Sequence, residues 1–191
     1  MCACALSVLA LAAAGWARGA EPFGLNELLA ALASVPEARA SFTERKTVAL
    51  LDKPVVSTGT LHYVKPDLLE KWTSAPMRER MTVRGDRLTL EWPDKHSERS
   101  FTLSSNPVLW ASVEGIRATL AGNRTTLERF YWVTLTGDRG RWTLSLEPRA
   151  AGIAAQLRSV TVSGHDARID WVDVQQPNGD HSVMELRPEP Q

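Results

Sequence analysis

The side chains able to do chemistry are few and scattered. Four histidines, His62, His96, His165 and His181, are the first candidates. No two of them stand at His-x-His or His-x3-His spacing, so no strand or helix face presents two imidazoles to a metal. His165 and His181 fall at turns or strand ends and read as surface residues. Cys2 and Cys4 are the only cysteines, both at the extreme N-terminus, so neither a disulfide nor a thiolate nucleophile is expected in the folded part. No Gly-x-Ser-x-Gly elbow is present. Gly137-Asp138-Arg139-Gly140 lacks the strand-to-helix setting and the lysine of a phosphate-binding loop and reads as a hairpin turn. Glu91, Asp94 and Glu98 are close in sequence, but nothing in their spacing pairs them as acid and base. No catalytic residue, metal ligand or cofactor is assigned, and no enzymatic activity is expected.

What recurs instead is apolar. Leu61, Tyr63, Met81, Val83, Leu88, Leu90, Trp92 and Phe101 fall at every second position of successive segments. Each set therefore points to one face of a sheet. Trp110, Val113 and Ile116 share the apolar stripe of a helix that could lie over that face. Such a constellation can hold hydrocarbon, and methionine and tryptophan adapt to a variable apolar guest. The same side chains also fill ordinary cores, and pattern alone leaves a hollow and a packed interior both open.

The elements that would position these residues are mostly strands. Leu25, Leu28, Leu29, Leu32 and Val35 form a helical stripe ending before Pro36. The period then changes to two over Thr58–Val64, Glu79–Arg84 and Leu88–Trp92, with Gly85-Asp86 and Pro93-Asp94 as turns, and Phe101 and Leu103 follow. A second helix opens at Asn106, with Pro107 at its first position and Gly122 able to end it. Hairpins close the chain, pairing Phe130–Leu135 with Arg141–Leu146, Leu157–Val162 with Arg168–Val174, and that strand with Ser182–Leu186. About ten or eleven short strands at hairpin spacing predict a large antiparallel sheet with few helices.

Composition agrees. The chain has 191 residues, 22 Lys+Arg against 22 Asp+Glu, and 43% apolar residues, ordinary for one folded domain. Zero net charge argues against a nucleic-acid partner, which needs an excess of basic side chains. Seven tryptophans outnumber four phenylalanines and two tyrosines. Leu6–Ala14 is an apolar run too short for a bilayer, followed by the small-x-small site Ala17-Arg18-Gly19. Residues 1–20 are therefore expected to be a cleavable signal peptide, and 21–191 a single exported domain.

Several stretches, taken in order, resemble the LolA family, the periplasmic carriers of outer-membrane lipoproteins. They are Ala40-Ser-Phe-Thr43 after a short helix; Gly59-Thr-Leu-His-Tyr-Val-Lys-Pro-Asp-Leu68 with Trp72 beyond; Met81-Thr-Val-Arg-Gly-Asp-Arg-Leu-Thr-Leu90, then an aromatic and Pro93; and Asn106-Pro107 opening an apolar helix. The resemblance covers about residues 25–188. It implies an unclosed antiparallel β-barrel roofed by a lid of short helices over an apolar cavity, lined by the eleven residues named above. It further implies a monomer in the periplasm that takes acylated lipoprotein or related lipid from an inner-membrane transporter and delivers it to an outer-membrane receptor. In the family a basic residue, usually arginine, precedes the proline of the second stretch. Here it is Lys65, which the resemblance makes the lid latch. Lysine is a compact point charge where arginine has a planar fork of donors. A periplasmic module that senses lipid or protein with the same fold, and hands nothing on, is the alternative.

Overall fold

The structure, a computed structural model, describes residues 23–189. The expected signal peptide lies outside the described residues. Eleven strands form one antiparallel sheet: β1 (Glu37–Thr47), β2 (Val55–Val64), β3 (Leu68–Ala75), β4 (Glu79–Arg84), β5 (Arg87–Trp92), β6 (Ser97–Thr102), β7 (Tyr131–Asp138), β8 (Arg141–Pro148), β9 (Ser159–His165), β10 (Arg168–Gln175) and β11 (His181–Pro188). Their order across the sheet is β6-β5-β4-β3-β2-β1-β11-β10-β9-β8-β7, so β6 and β7 are free edges and the barrel is not closed.

The chain must travel from one edge to the other, and it does so over one face. A 3-10 turn at Leu103–Ser105 leads from β6 into α2 (Pro107–Leu120), then α3 (Arg124–Phe130), which runs directly into β7. The helices are thus tethered at both ends to opposite edges. The first helix, α1 (Leu25–Ala33), lies against α2, and the one-turn α4 (Ala151–Ala154) sits between β8 and β9. Local chemistry starts α2 as expected. Asn106 accepts from the Leu109 N–H at 3.1 Å and Pro107 occupies the first turn, where its missing donor costs nothing. Gly122 follows the helix at φ +68, a left-handed conformation that glycine adopts freely.

Register sorts the side chains. Ala38, Tyr63, Leu69, Val83 and Leu88 face one another across β1–β5, and Leu61, Lys71, Met81 and Leu90 form the next row. This is the inner face, beneath the helices. Two apolar clusters lie on it. The larger gathers Leu28, Leu29 and Leu32 of α1 with Trp142, Leu144, Leu146, Val160 and Val162 of β8 and β9, all at most 3% exposed. The smaller gathers Tyr63, Leu69, Val83, Leu88, Leu103 and Val113. Tyr131 anchors α2 to β7, its hydroxyl donating to the Ala111 carbonyl at 2.5 Å.

Some segment boundaries differ from the sequence reading. Phe130 ends α3 and does not open a strand, and Ser159, not Leu157, begins β9; the turn expected at Pro93-Asp94 is present, as a 3-10 turn over Pro93–Lys95. α3 itself was not anticipated. It has only seven residues and one fully buried side chain, Leu127, which is too little to show a helical period.

Candidate functional site

The residues expected to line a hollow sort into two groups in the structure. Tyr63, Val83 and Leu88 are buried together on the inner face, with Met81 and Leu90 partly buried beside them. Val113 and Trp110 of α2 pack on this group. Trp110 reaches both clusters and stands edge-on to Phe130, ring centroids 4.9 Å apart at 84°. It is the side chain that spans the two halves of the interior.

The other four lie elsewhere. Ile116 packs in the larger cluster, against the β7–β9 half of the sheet and not against Met81 or Leu90. Leu61 faces inward but stays outside both clusters, half-buried beside Lys71. Trp92 also faces inward by register, yet its indole N–H donates to Glu79 at 2.9 Å and it joins neither cluster. Phe101 does not lie beneath a roof: it is 36% exposed on edge strand β6 and lines an open groove of about 460 Å³ with Arg84, Asp86 and Arg87. Alternation tells which way a side chain points, but not that its strand is the uncovered edge.

The inner face also changes character along the strands. Beneath α2 it is apolar. Two residues further along, Lys71 follows Leu69, then come Thr73 and Glu79. On β1, Glu44 points inward and pairs with Lys71, while the Ser182 hydroxyl donates to its other oxygen at 2.5 Å and Ser57 approaches at 3.3 Å. The Lys71 ammonium also lies 5.0 Å from the centre of the Phe42 ring. Burial pushes the Glu44 carboxyl up. Lys71, first by its charge and then by its hydrogen bond, and the two serine hydroxyls pull it down further, so it sits below its ordinary value. No local pattern gives this pair, since Glu44 and Lys71 lie 27 residues apart and meet only across β2.

The helices are held down by polar contacts. The Lys65 ammonium donates to the carbonyl of Ala33, the last residue of α1, at 2.7 Å. Unpaired carbonyls and the negative end of the helix dipole favour a cation there. Arg117 of α2 donates to the Gly85 carbonyl, in the turn between β4 and β5, at 2.6 Å and to Glu114 at 2.5 Å. It was not anticipated, since a lone arginine on a helix carries no signal for a partner 32 residues away. α1 and α2 meet closely at Gly122, where a Cβ would stand 2.6 Å from the Leu29 carbonyl oxygen.

The outer face is wet. His62 lies between Glu37 at 2.9 Å and Glu70 at 3.2 Å, and Arg80 donates to Glu70 at 2.7 Å. Trp72, Trp132 and Trp171 are exposed there, with the Arg149 guanidinium 3.7 Å from the Trp132 ring centre and Arg80 5.8 Å from that of Trp72. Among the described residues no three His, Cys, Asp or Glu side chains group to hold a metal, and no helix is long and apolar enough to cross a membrane.

No curated protein matches the chain. Among solved structures, a LolA superfamily protein from Nitrosomonas europaea is similar at 10% identity and TM-score 0.46, over 88% of this chain and 92% of that one. A DUF1329 family protein from Desulfovibrio piger is similar at 10% identity and TM-score 0.48, over 85% and 88%. The model of one family, described as outer membrane lipoprotein carrier protein LolA-like, matches residues 17–186. The chain belongs to that LolA-like family.

Proposed function

We propose that this protein carries acyl chains through the periplasm, lifting its helices to exchange their contacts with the inner face for contacts with a lipid or lipoprotein tail. One observation carries the reading: α2, tethered to both free edges of an open sheet, covers an apolar face with Trp110 reaching both halves. Hydrocarbon in water costs about 0.8 kcal/mol per CH2, so one chain of about 16 carbons exposes roughly 13 kcal/mol. A carrier must hide that surface and still let go. If the empty state covers the same lining with its own helices, loading replaces one apolar contact by another, and the net affinity stays low enough for release. Lys65 and Arg117 are then latches whose loss lowers the cost of opening.

The donor would be an inner-membrane transporter and the acceptor an outer-membrane receptor, with the chain acting as a monomer and without a cofactor. The experiment is mass spectrometry of lipid and lipoprotein recovered with the protein from periplasm, followed by incubation of the loaded protein with outer-membrane vesicles. Recovery of acylated cargo that passes to the vesicles supports a carrier. Cargo that stays bound favours a sensor, and absence of any acylated molecule contradicts the proposal.

A further inference from the structure

Two tyrosines are buried on the inner face, and only one is satisfied. The Tyr131 hydroxyl reaches the Ala111 carbonyl; the Tyr63 hydroxyl, on a residue 4% exposed, has no hydrogen-bond partner among the described residues. Its surroundings explain why. Leu69, Val83, Leu88 and Val113 offer no acceptor. Two charged side chains are near enough to act on the phenol, Arg117 and Asp67, but neither hydrogen-bonds it: Arg117 donates to Gly85 and Glu114, and the Asp67 carboxylate does not reach the hydroxyl. Among the described residues the one other orphaned buried side-chain atom, Asp173 Oδ1, belongs to an outward-facing carboxylate whose second oxygen already accepts from Gln175.

An apolar lining for hydrocarbon alone would be served by phenylalanine at this position, with no orphaned donor. A buried hydroxyl left unpaired is costly, so its presence under α2 calls for an acceptor that arrives from outside. Hydrocarbon cannot supply one. Esters and amides, the groups that attach acyl chains to their heads, carry a carbonyl oxygen at the root of the chain. We propose that the Tyr63 hydroxyl donates to this carbonyl, so that the site prefers ester- or amide-linked acyl amphiphiles over tails joined without a carbonyl. This rests on the acyl-carrier reading and deepens it.

The test uses two ligands of equal chain and head, 1-monolauroylglycerol (an ester) and 1-O-dodecylglycerol (an ether without the carbonyl), titrated calorimetrically below their aggregation limits against the purified chain. The wild type should bind the ester about five- to tenfold more tightly, the worth of one hydrogen bond that also relieves an orphaned donor. Tyr63→Phe should erase the preference by bringing the ester's affinity down to that of the ether, and should raise the melting temperature of the empty protein. Equal affinities in the wild type, a comparison needing no variant, would overturn the inference while leaving the carrier reading intact. An ester preference that survives Tyr63→Phe would do the same. Failure of both ligands to bind would contradict the carrier reading itself.

Discussion

Replacing Lys65 by methionine keeps most of the side-chain volume and removes the ammonium that holds the end of α1. The magnitude follows from the structure. A hydrogen bond from a charged donor is worth about 1.5–3 kcal/mol, but a cation at an exposed helix C-terminus about 0.3–1. Lys65 is exposed and its donor meets the Ala33 carbonyl at 2.7 Å, so about 1 kcal/mol is reasonable. Against it stand Leu28, Leu29 and Leu32, whose full burial contributes about 5–9 kcal/mol before ordering costs. The latch therefore tunes a helix that its leucines already dock, and Lys65→Met should fold normally. At RT of about 0.6 kcal/mol, the loss corresponds to roughly fivefold more frequent opening of α1. Hydrogen-exchange mass spectrometry reads this directly: amides of residues 25–35 should exchange about fivefold faster, those of β8 and β9 should not change, and Lys65→Arg should restore protection. Unchanged exchange in α1, or equal acceleration everywhere, would refute the latch.

Other perturbations probe the remaining contacts. Trp110→Ala should cost on the order of 2 kcal/mol of stability, since the ring is half-buried, but lower acyl binding at least tenfold; parallel loss of both would make Trp110 an ordinary core residue. Gly122→Ala imposes φ +68 on an alanine and brings its Cβ within 2.6 Å of Leu29 O, so it should lower the melting temperature by about 4–8 °C, as scanning calorimetry would show. Glu44 has a folded-state pKa below its unfolded value of 4.5, so its ionised form stabilises the fold above about pH 4.5, and this contribution is lost as pH falls through the folded value. Glu44→Gln should thus be less stable than wild type at pH 7, with the gap closing toward pH 3 in urea titrations; a constant gap would remove that ionisation from the stability balance.

Antiparallel strands with one covered face alternate strictly, which is why β2, β4, β5 and β8 could be read from period alone. β1 escaped because, of its inward positions Ala38, Ala40, Phe42, Glu44 and Lys46, only Phe42 is large and apolar, and one such residue marks no face. β3 inverts the rule, with Trp72 outside and Lys71 inside. The expected lining shares the same limit. Tyr63, Met81, Val83, Leu88 and Leu90 do meet under α2, because register carries alternation from strand to strand. The exposure of Phe101 depends on strand order, and the seating of Ile116 on helix rotation, neither of which alternation records. Lys65 was named only by resemblance, since no local pattern links it to a helix end 32 residues earlier.

A guest's hydrocarbon that replaces α2 on the inner face can be trapped there by photo-crosslinking. A lauroyl lipid carrying a diazirine at the chain end would be bound, illuminated, and its adducts mapped by mass spectrometry. Adducts are expected on Met81, Leu90, Trp110 and neighbouring inward residues. Adducts confined to Trp72, Trp132 and Trp171 on the outer face, or none at saturating lipid, would contradict that replacement.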